Sequence, residues 1–191
     1  MMNLFHRWYC KSNGWRRHVE QTILPAVLEG IDLGANPLEI GPGPGLTTDV
    51  IRTKVGQLTA LELDHRLAAS LAKRLADTNV KVVEGDATAM PFPEEYFSSV
   101  VCLTMLHHVP TAALQDRLFV EVARVLRPGG VFVGSDSTPT MRWHAYHLFD
   151  TKTPVDPERF PARLEAAGFE RIEVSRSATG FRWRAWKPSP I

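Results

Sequence analysis

The chain has 191 residues, 44% of them hydrophobic, enough to bury one substantial core and too few for a catalytic domain with a separate substrate domain. Its 22 basic and 21 acidic side chains leave a formal net charge of +1, so no global field draws it toward nucleic acid or another polyanion. The two cysteines, Cys10 and Cys102, lack C-x-x-C spacing and offer neither a disulfide framework nor a metal site; reduced thiols in the cytoplasm are the expectation.

No apolar run approaches the roughly 20 residues that span a bilayer, and Met1 to Trp15 is aromatic and basic without a secretory apolar stretch, so a soluble protein is expected. Basic residues cluster locally, with Arg7, Lys11, Arg16 and Arg17 near the start and Arg171, Arg176, Arg182, Arg184 and Lys187 near the end. Solvated faces are the simpler reading of both clusters, although the N-terminal one also suits transient contact with an anionic membrane surface.

In chain order, Val19, Ile23, Leu24, Val27 and Leu28 recur at helical spacing before Gly30 and predict an amphipathic helix, with Pro25 positioned to kink it. Pro37 to Gly41 is a short apolar run closed by glycine, as in a buried strand, and Leu46 to Val55 reads as the helix that follows. Leu58 to Leu63 predicts a second strand, Arg66 to Ala76 a helix and Val80 to Glu84 a third strand. Phe97 to Leu103 is nearly continuous in apolar residues, the pattern of a strand buried on both faces of a parallel sheet. Ala112 to Leu126 is helical and ends in Pro128-Gly129-Gly130, after which Val131 to Ser135 makes a fifth strand. Thr138 to Phe149 is rich in aromatics and histidines and reads as part helix, part lid. A last helix spans Pro157 to Ala167, and Glu170 to Ser175 and Phe181 to Trp186 form an antiparallel pair around Gly180. Strands alternating with helices imply right-handed crossovers, hence an α/β domain whose mostly parallel sheet carries helices on both faces.

Glu39-Ile-Gly41-Pro-Gly43-Pro-Gly45 follows a predicted strand and opens a predicted helix, where missing side chains let a ligand approach the backbone. Glu62 ends the next strand about 20 residues on, a natural place for a carboxylate that accepts from two ribose hydroxyls. A nicotinamide dinucleotide satisfies both features, but three details disfavour it. Leu46 stands where the third glycine of G-x-G-x-x-G belongs, Pro42 and Pro44 remove two backbone donors that a pyrophosphate needs, and no Tyr-x-x-x-Lys pair follows. No Gly-Lys-Ser or Gly-Lys-Thr is present to serve a nucleoside triphosphate.

Five segments in order, between Glu39 and Gly130, resemble the class I S-adenosylmethionine-dependent methyltransferases. They are Glu39 to Gly45, Leu61-Glu-Leu-Asp64, Gly85-Asp-Ala87, Phe97 to Val109 with Leu106-His-His-Val-Pro110, and Leu126-Arg-Pro-Gly-Gly130. The resemblance implies a single Rossmann-like, doubly wound domain over residues 1–191. Its seven strands would lie in the order 3-2-1-4-5-7-6 with strand seven antiparallel, residues 1–30 forming a helical cap and 137–155 a substrate lid. It also implies S-adenosylmethionine as cofactor and S-adenosylhomocysteine as product. Gly41, Gly43 and Gly45 would lie against the methionine part, Glu39 would orient its ammonium directly or through water, and Glu62 would hold the ribose. Asp86 and the Ala87 amide would read the adenine edge, Leu63 would pack on its face, and Leu103 would complete the cofactor wall. Taken alone, Asp86 reads first as a turn or helix-cap aspartate, and its place at the end of the third strand reverses that order.

Methyl transfer from a sulfonium is an in-line displacement that needs alignment and exclusion of water more than acid–base help. For a hydroxyl nucleophile, His107 or His108 would supply the base, with His107 toward the cofactor and substrate and His108 holding the loop. Two aromatic stretches would roof an apolar acceptor: Phe5, Trp8, Tyr9 and Trp15, and Met141, Trp143, His144, Tyr146, His147 and Phe149. Each of these aromatics alone is better explained by packing, and only their clustering supports the pocket. Leu103-Thr-Met-Leu106 stands where methyltransferases acting on base amino groups carry Asn/Asp-Pro-Pro-Tyr/Phe, so a small-molecule or lipid-like acceptor is the expectation and nucleic acid is not. A non-catalytic cofactor-binding or scaffolding module of the same fold is the alternative, and a nicotinamide oxidoreductase a more distant one.

Overall fold

The computed structural model describes residues 12–139 and 152–190. The chain enters through a short helix, α1 (Asn13–His18), capped by the Ser12 side chain, which accepts from the Trp15 amide. A single π turn, Val19–Ile23, carries the chain into α2 (Leu24–Leu28). The sequence predicts one helix kinked at Pro25; the structure divides that stretch with a π turn just before the proline. Proline has no N–H and crowds the preceding turn, and a widened turn relieves both problems.

Seven strands follow in one sheet: β1 (Pro37–Ile40), β2 (Leu58–Glu62), β3 (Val80–Glu84), β4 (Phe97–Leu103), β5 (Leu126–Ser137), β6 (Glu170–Arg176) and β7 (Gly180–Trp186). Their order is β3-β2-β1-β4-β5-β7-β6. Pairings from β3 across to β5 are parallel, and β7 runs antiparallel to both β5 and β6. The helices between strands are α3 (Leu46–Ile51), α4 (His65–Arg74), α5 (Ala112–Val125) and α6 (Phe160–Ala166), and a 3-10 turn, Leu106–His108, follows β4.

The last helix begins at Phe160 rather than Pro157, and two further elements differ from the sequence-based expectation. The helix expected over 46–55 ends at Ile51, where Thr53 turns its hydroxyl back onto the Val50 carbonyl and begins the exit before Gly56. The fifth strand begins at Leu126 rather than Val131, because Phe97 pairs with Leu126 and Ser99 with Val131. The Arg127-Pro-Gly-Gly130 excursion is therefore an irregular bulge inside β5.

Alternation along the strands builds a core on each face. Val100, Cys102, Phe132 and Trp183 pack under Leu118, Phe119 and Val122 of α5 and Phe160 and Leu164 of α6. Val101, Leu103, Val131 and Val133 pack under Val19, Leu24 and Val27 of the entering helices. Gly134 is the price of bringing Trp183 onto the sheet: an added Cβ would stand 2.1 Å from the Cys102 carbonyl oxygen and 2.3 Å from the indole. Among the described residues, no helix is long and apolar enough to cross a membrane.

Candidate functional site

The carboxyl ends of β1, β2, β3, β4 and β5 open into a cavity of about 1190 Å³, bounded on one side by Trp15, His18 and Thr22 and on another by the β6–β7 turn. Ligands in open α/β sheets bind at this edge, where the strand order reverses between β1 and β4.

Gly41 and Gly43 line the cavity, both with left-handed backbone, at φ 66° and 55°. Gly41 must also lack a side chain because Met105 lies against it, whereas nothing comes within 4 Å of a Cβ built on Gly43. Gly43 is thus the open floor of the loop. Gly45 corrects the expectation that all three glycines face the ligand. It does not line the cavity, and a Cβ there would meet Leu71 and Arg74 of α4 at 2.4 Å. Its role is close helix approach, reinforced by Arg74, which pairs with Asp49 at 2.7 Å and donates to the Pro44 and Gly45 carbonyls.

Glu62, at the end of β2, is buried and lines the cavity. Its Oε2 accepts from the Gly43 amide and its Oε1 from the Asp64 amide, both at 2.9 Å. The carboxylate therefore shapes the glycine loop before any ligand arrives, and each oxygen keeps a second lone pair for a hydroxyl. Leu63 lines the same cavity and is 68% exposed, an apolar side chain with no packing partner to hide it. Ala87 and Asp86 form the next stretch of wall; Asp86 Oδ1 accepts from the Thr88 amide at 2.8 Å, so it serves its own turn while facing the cavity. Leu103 completes the floor beside them.

Glu39 lies beneath the loop rather than on the cavity wall. One oxygen accepts from Thr47, which does line the cavity, and Oε2 is buried without a partner. Burial pushes its pKa up from 4.5 to about 7, with neighbouring Asp49 and Glu62 adding to the rise against the hydrogen bond from Thr47. The folded state then binds this proton more tightly than the unfolded state, and its stabilising effect, complete below pH 4.5, is lost as pH rises through about 7. Comparing urea unfolding of the ligand-free protein with Glu39→Gln from pH 4.5 to 8 should show the native chain losing about 3 kcal/mol relative to the variant, at about 1.4 kcal/mol for each pH unit. A parallel pair of stability curves would contradict this buried acid.

Both histidines line the cavity, their rings 4.2 Å apart. His107 is buried, with its amide donating to Asp136 Oδ2 at 2.9 Å and its Nδ1 lying 2.5 Å from Asp136 Oδ1. A carboxylate at Nδ1 assigns the proton to that nitrogen and makes Nε2 the basic one. His107 therefore both ties its loop to β5 and presents a fixed imidazole at the cavity wall. Gln115 of α5, fully buried, donates to the Leu106 and Thr153 carbonyls at 3.0 Å, and the Thr153 amide donates to the His107 carbonyl at 2.7 Å. Asp136 and Gln115 were not flagged by the sequence. An aspartate three residues past a valine-rich run is an ordinary strand end until the fold brings it to the histidine. Trp8, Tyr9, Trp143, His144, Tyr146 and His147 lie outside the described residues.

The sequence family described as "Methyltransferase domain" matches residues 38–134, the stretch that runs from β1 through the glycine loop to β5. The chain belongs to the class I S-adenosylmethionine-dependent methyltransferases. The chain is 40% identical over 83 residues to a probable ribosomal RNA small subunit methyltransferase A of Thermococcus onnurineus, covering 44% of this chain and 29% of that protein. It is 34% identical over 108 residues to a fatty-acid O-methyltransferase of Mycolicibacterium smegmatis, covering 56% of this chain and 38% of that one. The chain thus spans well under half the length of either relative. Phosphoethanolamine N-methyltransferase 2 of Haemonchus contortus, solved with S-adenosyl-L-methionine, superposes with a TM-score of 0.76 at 17% identity, over 97% of this chain and 56% of that one. That likeness is one of fold.

Proposed function

We propose that the chain transfers a methyl group from S-adenosylmethionine to a small-molecule or lipid-like acceptor. The observation that carries this reading is one continuous cavity joining the Gly43–Glu62 wall to the His107–Asp136 pair. The donor fits the first wall. Glycine floor at Gly43, a carboxylate at Glu62 with lone pairs to spare, and the exposed apolar face of Leu63 match an amino acid, a ribose and an adenine in turn. In this reading Gly41 and Gly43 cradle the methionine part, and Glu39 acts on its ammonium through Thr47. Glu62 holds the ribose, Asp86 and the Ala87 amide read the adenine, and Leu103 closes the wall. The cofactor supplies an electrophilic methyl on a positively charged sulfur.

The chain's residues do the rest. The walls hold the acceptor in line with the carbon–sulfur bond and exclude water. When the acceptor is a hydroxyl, His107 Nε2 would take its proton, while the bound cofactor would supply the methyl group and keep the electron pair of the bond it gives up. Asp136 holds the imidazole in the tautomer that can accept it. Of the expected lid and cap, residues 140–151 and 1–11 lie outside the described residues.

Among similar proteins, names point to ribosomal RNA and to small molecules alike, but the alignments quoted stop at about half of this chain. Support for the small-molecule reading comes from the cavity, where Val19, Ile23, Ala26 and Val27 make an apolar wall, and from the net charge of +1. A thermal scan with S-adenosylhomocysteine, and with nicotinamide dinucleotides as controls, tests the donor; release of S-adenosylhomocysteine with phenolic, amine and lipid acceptors tests the activity. Stabilisation by the homocysteine compound alone, followed by turnover on one acceptor class, is the expected result. Binding without turnover on any acceptor would leave the cofactor-binding module as the correct reading.

A further inference from the structure

Strand register places one row of residues along the cavity edge of the sheet: Leu103 pairs with Ser135, Ser135 with Arg182, and Arg182 with Ser175. Leu103, Ser135, Arg182 and Ser175 all line the cavity. Alternation puts Ser135 on the same face as Val131 and Val133, and Arg182 on the same face as Trp186, the face covered by the entering helices. Arg182 is half-buried, and its guanidinium has no hydrogen bond or ion pair among the described residues. The other arginine on the cavity, Arg176, is neutralised by Glu158 at 3.1 Å. Ser135 Oγ, next to Arg182 in the row, is buried without a partner.

The cavity is therefore electrically divided. Glu62, Asp64 and Asp86 line the end proposed for the adenosyl group, and the fourth carboxylate on the wall, Asp136, is engaged with His107. The opposite end holds one uncompensated guanidinium flanked by serine hydroxyls. A half-buried cation left unpaired costs desolvation free energy, which a matching anion recovers through charge-assisted hydrogen bonds. One guanidinium and hydroxyl donors match one negative charge, which favours a carboxylate over a phosphate dianion. Two strand spacings separate Leu103 from Arg182, about 10 Å along the sheet, so an anion held there lies a small molecule's length from the cofactor wall.

We propose that Arg182, with Ser135 and Ser175, anchors a carboxylate of the methyl acceptor, while a separate hydroxyl on the same molecule receives the methyl group. This rests on the methyltransferase reading above and narrows its acceptor to hydroxy acids with an apolar body.

The test uses two probe pairs that differ only in charge, 4-hydroxyphenylacetate with 4-hydroxyphenylacetamide and 3-hydroxydecanoate with 3-hydroxydecanamide. Each is titrated calorimetrically into the full chain saturated with S-adenosylhomocysteine. At least one acid should bind tenfold or more tightly than its amide, and Arg182→Gln should erase that preference while keeping the affinity for S-adenosylhomocysteine within twofold. Absence of an acid preference in the native chain, through equal binding or none, overturns the anchor, as does a preference that survives in Arg182→Gln. Repeating the titrations without S-adenosylhomocysteine separates the two readings: an acid preference that depends on Arg182, in a protein that fails to bind the homocysteine compound, removes the donor and leaves the anchor.

Discussion

Glu62→Ala will remove most of the thermal stabilisation that S-adenosylhomocysteine confers, and weaken its binding at least a hundredfold by calorimetry. Two costs combine. The ribose loses two hydrogen bonds to a charged acceptor, each worth about 1.5–3 kcal/mol, so about 3 kcal/mol is the lower end of the loss. The Gly43 and Asp64 amides also lose the acceptor that sets the loop's shape in the empty protein. Asp86→Ala acts in the same direction and also removes most of the shift, because its carboxylate would hold the adenine edge as well as its own turn. Neither variant deletes a core side chain, so unfolding in the absence of ligand should stay cooperative. An unchanged shift in both variants would refute the placement of the adenosyl group.

Asp136→Asn will lower turnover on a hydroxyl acceptor by about a hundredfold or more while leaving S-adenosylhomocysteine affinity near that of the native chain. The change is nearly isosteric, so packing against β4 and β7 survives. What it alters is the proton. Asp136 accepts from the His107 amide, sits against His107 Nδ1 and accepts from the Ser137 amide at 2.7 Å. An asparagine amide group turned toward Nδ1 offers a donor there, which favours the tautomer with its proton on Nε2, and a protonated Nε2 cannot take a proton from the nucleophile. The pH profile separates this from a general loss of structure. The native chain should show a rate that rises with deprotonation of one group, whereas Asp136→Asn should flatten that limb. An acceptor whose nucleophile carries no proton to lose should be methylated by both at similar rates. Equal loss on both kinds of acceptor would mean that Asp136 is structural and His107 is not the base.

The order of elements was legible because it is written in short-range pattern. Apolar runs at Pro37–Ile40, Leu58–Glu62 and Phe97–Leu103 lie where the strands lie, since a strand covered on both faces has no polar face to interrupt the run. The glycine loop and Glu62 were legible for a related reason: both sit at strand ends, and in a parallel sheet the strand ends share one edge. Boundaries were less legible where tertiary pairing decides them. Leu126 joins β5 only because Phe97 is there to pair with it.

What the sequence by itself determined is the alternation of strand and helix, the glycine floor and the acidic end of β2, all consequences of spacing within a few residues. What only the tertiary structure decided is which side chains meet. Gly45 turned out to make room for α4, because Leu71 and Arg74 return to it from a later helix. Asp136 became the partner of His107 across 29 residues, and Arg182 fell into line with Ser135 and Leu103 through an antiparallel register. Strand order and register are set by how whole faces bury against one another, so a residue's neighbours on the adjoining strand carry no mark in its own local sequence.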